Sequence, residues 1–240
     1  MLSYAEINEI ADNLLLMNWK EYWNNKASAK SSLARVGRED NAALFELTLK
    51  HLDALVRPTK QMILLDLCCG NGLVSQFFGP KVNRLVGVDL SPVLLSEAKE
   101  LNLNFSNSSF ICADACAFSE KLNQQFDVVL LHFSFQYFET NAIASSVLAE
   151  IKKALNGDGK VVITDIPDAR KLQVFYPGLL GRLRRIKQKT TKTSEMGRFW
   201  HPKTLQKIAV ENGFAAEILE QDAKLPYSHY RFDVILKRKD

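Results

Sequence analysis

Three aspartates and a pair of glycines carry the chemistry most directly legible in this sequence. Asp66 opens the run Asp66-Leu67-Cys68-Cys69-Gly70-Asn71-Gly72, Asp89 follows Gly72 by seventeen residues, and Asp114 precedes Ala115. Gly70 and Gly72 permit a tight turn at the start of a helix and let a ligand approach the main chain closely. A carboxylate at Asp89 can accept hydrogen bonds from both hydroxyls of a ribose. One at Asp114 can accept from the exocyclic amine of adenine while the N–H of Ala115 donates to a ring nitrogen. The set is expected to grip a nucleoside by its sugar and by the edge of its base.

Such residues work only if strand ends hold them at one rim of a sheet. Met62 to Asp66 is a short continuous apolar run, as in a strand buried on both faces of a parallel sheet. Further runs span Val82 to Asp89, Phe110 to Asp114, Phe126 to Leu131 and Lys160 to Ile166. Between the second and third, Ser91-Pro92 starts a helix carrying Val93, Leu94, Ala98 and Leu101. Between the fourth and fifth lies a helix with Ile143, Val147, Leu148, Ile151 and Leu155, closed by the turn Asn156-Gly157-Asp158-Gly159. Strands alternating with helices give right-handed crossovers and a parallel sheet. After a helix from Pro202 to Glu211, Phe214 to Leu219 and Tyr230 to Leu236 follow with no helix between them, so they must pair antiparallel. The expectation is a doubly wound α/β fold with a seven-stranded, mostly parallel sheet and an antiparallel C-terminal hairpin. Upstream, Ser3 and Glu6 stand at capping-box spacing before Ile7, Ile10, Leu14 and Met17, and a second helical face carries Leu44, Leu47, His51, Leu52 and Leu55 as far as Arg57-Pro58.

Closely from Leu64 to Ile166, the chain resembles the class I S-adenosylmethionine-dependent methyltransferases. Their glycine motif reads acidic-x-G-x-G-x-G, with acidic residues ending the second and third strands; Cys68 stands where the first glycine is common. The resemblance implies the Rossmann-like methyltransferase fold and S-adenosyl-L-methionine as cofactor. It implies a cofactor set of Asp66, Cys68, Gly70, Asn71, Gly72, Asp89, Leu90, Asp114, Ala115 and His132. Arg38, just before the helix that leads into the core, either clamps the methionine carboxylate bidentately or is solvated. A nicotinamide enzyme would carry G-x-G-x-x-G here, and Gly70-Asn-Gly-Leu-Val-Ser75 is a poor version of it.

A sulfonium methyl is already electrophilic, so the protein has chiefly to align a nucleophile and exclude water. A hydroxyl acceptor would need a base, whereas a carboxylate or neutral amine would not. His132, directly after strand four, is the first candidate base or a packing residue, and His229 is its rival. His201 before Pro202 looks like a helix cap, and His51 on a helix face is structural. Tyr137, Asp165, Tyr230 and Arg231 are the expected acceptor contacts. Strand four lacks the Asn/Asp-Pro-Pro-aromatic signature with which resembling enzymes methylate nucleic-acid bases, so nucleic acid is disfavoured as a substrate. The expected acceptor is a small molecule such as a sugar, nucleotide-sugar or secondary metabolite, methylated on O or N. Arg170, Lys171, Arg182, Arg184, Arg185, Lys187, Lys189, Lys192 and Arg198 form a basic patch or lid that suits an anionic acceptor, or a solvated face. An RNA-modifying enzyme and a non-catalytic cofactor-binding protein remain as alternatives.

The 240 residues allow one sizeable core, and the net charge of +4 is mild. One domain is expected, with a helical cap over residues 1–58, a cofactor core over 59–167, a basic lid over 168–200, and a terminal helix and hairpin over 201–240. Cys68, Cys69, Cys112 and Cys116 lack paired CxxC knuckles, so reduced thiols and no metal are expected. No apolar run nears the ~20 residues of a membrane span, and the N-terminus lacks a signal-peptide layout. The expected place is the cytoplasm, with a homodimer left open.

Overall fold

The computed structural model describes residues 17–191 and 195–239. The helix expected from Ser3 lies outside the described residues except for Met17, the last residue of its expected face, which belongs to no helix; Lys192 of the basic stretch also lies outside them. Strands β1 (Ile63–Leu67), β2 (Arg84–Asp89), β3 (Ser108–Cys112), β4 (Phe126–His132), β5 (Leu155–Pro167), β6 (Phe214–Glu220) and β7 (Arg231–Arg238) form one sheet in the order β3-β2-β1-β4-β5-β7-β6. The first five are parallel, and β7 runs antiparallel between β5 and β6. This is the seven-stranded sheet with the terminal hairpin that the alternation of runs predicts.

The continuous apolar runs serve both faces, because successive strand residues point to opposite sides. Leu65, Val129, Leu131, Val161 and Ile163 face helices α6 (Asn141–Ala154) and α9 (Pro202–Glu211) through Val147, Leu148, Ile151, Leu205 and Ile208. Leu64, Leu85, Val128, Leu130 and Val162 face α3 (Ala42–Val56) and α4 (Leu73–Phe78) through Leu52, Val56 and Phe78. Helix α5 (Pro92–Leu101) starts on the Ser91 cap, whose hydroxyl accepts from Leu94 N–H, and α9 starts on His201, whose Nδ1 accepts from Lys203 N–H.

Several boundaries differ from expectation for physical reasons. Strand β3 occupies an edge and is only half-buried, so its polar start at Ser108-Ser109 is tolerated and Asp114 falls two residues beyond its end. The run Asn156 to Gly159 is not a closed turn: α6 passes straight into β5 at Leu155, with a register shift opposite Phe126 and Val128, and Asn156 is tied to Asp127 at 2.6 Å. Helix α3 buries Thr48, Leu52 and Val56 and leaves Leu47 exposed, one residue out of phase with the expected face. It stops on Arg57 in a left-handed conformation.

Two short helices, α1 (Trp19–Lys26) and α2 (Ser32–Arg35), lie ahead of α3. The basic stretch contains α7 (Leu172–Phe175) and α8 (Gly178–Thr190). That excursion is pinned where it leaves and returns: Asp168 bridges Trp200, and fully buried Trp200 donates from its backbone to Pro167 O at 2.7 Å and from its indole to Phe135 O at 3.2 Å.

His51 on α3 meets buried Asp233 on β7 at 2.6 Å. Burial opposes charging of the imidazole, but the hydrogen bond and charge of Asp233 outweigh it and raise the His51 pKa above its ordinary value. The pair's contribution is therefore whole below the unfolded value of about 6.5 and is lost as pH climbs through the higher folded pKa. His51→Gln should cost about 1.5–3 kcal/mol of stability near pH 6 and less near pH 9, checked by urea denaturation; an equal loss at both would contradict the charged pair.

Candidate active site

At β1 the chain must leave an inner strand and enter a helix within a few residues. It does so through left-handed backbone at Cys68 (φ 63°), Gly70 (φ 55°) and Gly72 (φ 76°), and Gly72 caps α4. An L side chain strains there, which explains in physical terms the first glycine of resembling chains where this one has Cys68. A Cβ on Gly72 would lie 2.9 Å from that of Ala98, so the turn is packed onto α5.

The three aspartates converge on one cavity of about 340 Å³, also lined by Cys68, Gly70, Asn71, Leu90, Ala115, Tyr137, His132 and Arg38. Asp66 is buried and accepts from Ser75 Oγ at 2.6 Å; burial, with the nearby Asp89 charge, pushes its carboxyl up to about 7 against that hydrogen bond. Asp89 accepts from Gly70 N–H at 2.8 Å and from Ser91 N–H at 2.9 Å, so backbone fixes its carboxylate at the cavity. Burial raises its pKa against those two bonds. Asp114 is exposed and accepts from Cys116 N–H at 2.8 Å. Asn71 donates to Ser32 O at 2.9 Å, while its buried Oδ1 has no donor among the described residues.

The wall of the cavity at β4 is built differently. His132 ends β4, and its Nδ1 lies 2.7 Å from Thr164 Oγ1. Its Nε2 meets an Arg38 N–H, so Nε2 must be the accepting nitrogen and Nδ1 the donor to threonine. Burial, and then the Arg38 charge, holds the His132 pKa well below its ordinary value, leaving it neutral at neutral pH. Arg38 also donates to Asp165 at 2.8 Å, in a pair less than a tenth exposed on either side. Burial pushes the Asp165 carboxyl up, but Arg38 and Arg231 outweigh it and hold it well below the usual carboxylate range. The Arg38 guanidinium lies 3.9 Å over the Phe133 ring. The geometry thus sets Arg38 beside the ends of β4 and β5, rather than free in solvent.

The remaining expected contacts do not line this cavity. Asp165 stands behind Arg38, and Arg231 is fully buried, donating to Asp165 O with its guanidinium 4.4 Å from Phe133. Tyr230 is buried against Phe175 and Phe199. His229 is exposed on the three-residue turn Ser228–Tyr230, which sends Tyr230 inward and His229 outward. Trp19, Trp23, Phe45 and Phe133 do line the cavity, and none of them was anticipated. Trp19 and Trp23 pack on Tyr137 at 4.5 and 5.2 Å between ring centres. The signal was the aromatic cluster Trp19, Tyr22, Trp23 on one short helix. Among the described residues no group of three His, Cys, Asp or Glu side chains is placed to hold a metal ion.

Residues 64–159 match the family described as a methyltransferase domain. Residues 64–159 form an S-adenosylmethionine-dependent methyltransferase domain. Over the same sheet it is similar to the N-methyltransferase NodS from Bradyrhizobium japonicum WM9 in complex with S-adenosyl-L-homocysteine, with TM-score 0.67, 15% identity, and coverage of 93% of this chain and 100% of that one. Among curated proteins, it is 25% identical over 186 residues to the malonyl-[acyl-carrier protein] O-methyltransferase of Hamiltonella defensa, spanning 77% of this chain and 66% of that protein. It is 34% identical over 71 residues, 29% of this chain, to the putative RNA methyltransferase R405 of Acanthamoeba polyphaga mimivirus, whose length it spans by only 17%.

The residues of this methyltransferase domain fit the cofactor of its class. Asp89 is held by backbone at the end of β2, Asn71 presents an unmatched buried acceptor, and the left-handed turn brings main chain to the cavity wall. Asp89→Ala should weaken binding of S-adenosylhomocysteine by about 2–4 kcal/mol, read by titration calorimetry; an unchanged isotherm would place the ribose elsewhere.

Proposed function

We propose that this chain transfers a methyl group from S-adenosylmethionine to an oxygen or nitrogen of a small acceptor that carries a negative charge. The observation that carries this reading is that one cavity is lined both by the carboxylates Asp66, Asp89 and Asp114 and by Arg38, whose guanidinium lies over the Phe133 ring. The cofactor supplies an electrophilic methyl, leaving the protein to bind, orient and exclude water. Asp89 and Asp114 hold the nucleoside, and Asn71 accepts from a donor of the bound group. Trp19, Trp23, Phe45 and Tyr137 exclude water around the acceptor, and Arg38 orients an anionic group on it.

His132 acts in this reading as a positioning residue. Its basic nitrogen is already engaged by Arg38, and its charged form is suppressed, so it is poorly placed to take a proton from the acceptor. That favours an acceptor needing no base at neutral pH, a carboxylate or a neutral amine. The similarity to a protein named for O-methylation of a malonyl group supports the carboxylate. A second reading, an RNA-modifying enzyme, is favoured by the basic stretch and by short matches to RNA methyltransferases.

Transfer of a labelled methyl group to a panel of carboxylates, amines and hydroxyl acceptors tests the reaction, and its absence across the panel would leave a cofactor-binding protein. Arg38→Ala should raise the acceptor KM on the order of a hundred-fold, the loss of one or two charged hydrogen bonds, while S-adenosylhomocysteine affinity holds; a matching loss of that affinity would assign Arg38 to the methionine carboxylate. The kcat profile should show no limb near pH 6.5, because His132 does not titrate there, and such a limb abolished by His132→Gln would restore it as the base.

A further inference from the structure

We propose that α8 is an interfacial helix that docks this protein onto an anionic lipid surface; this does not rest on the reading of the reaction. The helix reads Gly178-Leu-Leu-Gly-Arg-Leu-Arg-Arg-Ile-Lys-Gln-Lys-Thr190, without an acidic residue. Its inward face is fixed by close packing on Tyr176. A Cβ on Gly181 would come within 2.4 Å of the Tyr176 carbonyl carbon, Gln188 accepts from the Tyr176 hydroxyl at 3.0 Å, and Arg184 donates to Phe175 O. That side is small and polar.

The apolar residues face the other way. Leu179, Leu183 and Ile186, at the i, i+4, i+7 spacing of one helical stripe, are 72%, 53% and 59% exposed, and neighbouring Leu180 is 82% exposed. A helix on a water-soluble domain ordinarily turns such a stripe inward. Here it turns outward, with Arg182 and Arg185 along one margin and Lys187 along the other. An apolar stripe between cationic margins suits insertion at the headgroup level of a bilayer, with the cations against anionic lipid. A second copy laid on the same stripe would set these cations against one another with no acid on either helix. An RNA backbone would use the cations and leave the leucines in water.

The site is tied to the cavity through packed rings. Phe175, at the end of α7, meets Tyr230 at 5.2 Å, Tyr230 meets Tyr227 at 6.1 Å, and Tyr227 stacks on cavity-lining Phe133 at 6.2 Å. Docking through α8 would bring the cavity's acceptor end close to the lipid surface.

Co-sedimentation of the whole chain with vesicles of phosphatidylcholine, alone or with about a quarter phosphatidylglycerol, tests the proposal. The protein should pellet with the anionic vesicles and stay in solution with phosphatidylcholine alone. Leu183→Asp with Ile186→Asp should weaken partitioning on the order of ten-fold per side chain. Arg182→Gln with Lys187→Gln should weaken it about five-fold per charge and flatten its salt dependence. All four positions are exposed, so melting temperatures should hold; Leu179→Ser with Leu180→Ser gives an independent pair if they do not. Failure to pellet with anionic vesicles, or pelleting equal to wild type in the aspartate variant, would overturn the proposal. So would a concentration-dependent dimer dissolved by Leu183→Asp, or retention on single-stranded RNA that needs the cations and ignores the leucines when vesicles are not bound.

Discussion

The two central strands stop pairing at Asp66 and Leu130, and their chains then leave toward opposite faces of the sheet. From β1 the chain turns into α4, packed on the face of Leu64 and Val128, and from β4 it leads to α6, packed on the face of Leu65 and Val129. No crossover covers the gap between the two departures, so a crevice opens at the carboxyl ends of the strands. The cavity lies in that crevice. Asp66, Asp89 and His132, at the carboxyl ends of their strands, and Asp114, two residues past the end of β3, line it.

The geometry at these strand ends is held against local preference. Cys68 after β1, Phe133 after β4 and Asp165 within β5 all adopt left-handed backbone without being glycine. Each such conformation costs on the order of 1–2 kcal/mol and persists where its surroundings dictate it. Phe133 N–H is bound to Thr164 O at 3.1 Å, and Asp165 N–H to the buried Asp233 carboxylate at 2.9 Å. Asp233 is held in turn by His51 and Gln221. The network sets the direction of the Asp165 side chain, and with it the place of Arg38.

What the sequence made legible follows the range of the interactions. Asp66, Asp89 and Asp114 could be found because each closely follows a short apolar run, a local pattern. The number of parallel strands and the antiparallel end followed from the same alternation, and the caps at Ser91 and His201 from the prolines beside them, whereas the order of the strands across the sheet had no such local mark. The start of β3 was obscured by two serines that only an edge strand tolerates, and the passage from α6 into β5 by glycines that read as a turn. Trp19 and Trp23 were missed because α1 has no buried stripe to mark it; its large rings serve the cavity, not the core. The engagement of His132 by Arg38 joins residues 94 positions apart and has no local signature.

The pairing of Arg38 with Asp165 spans 127 positions of the chain. Closing so long a loop is entropically costly until the intervening strands are in place. On the ribosome, the segment bearing Arg38 emerges well before β5, its eventual anchor, has been made. Strands β1, β2 and β3 have all their residues earlier, so the wall bearing Asp66, Asp89 and Asp114 can take shape while the Arg38–Asp165 pair is still open. The wall of the cavity that holds Arg38 is thus complete only once β5 is in place.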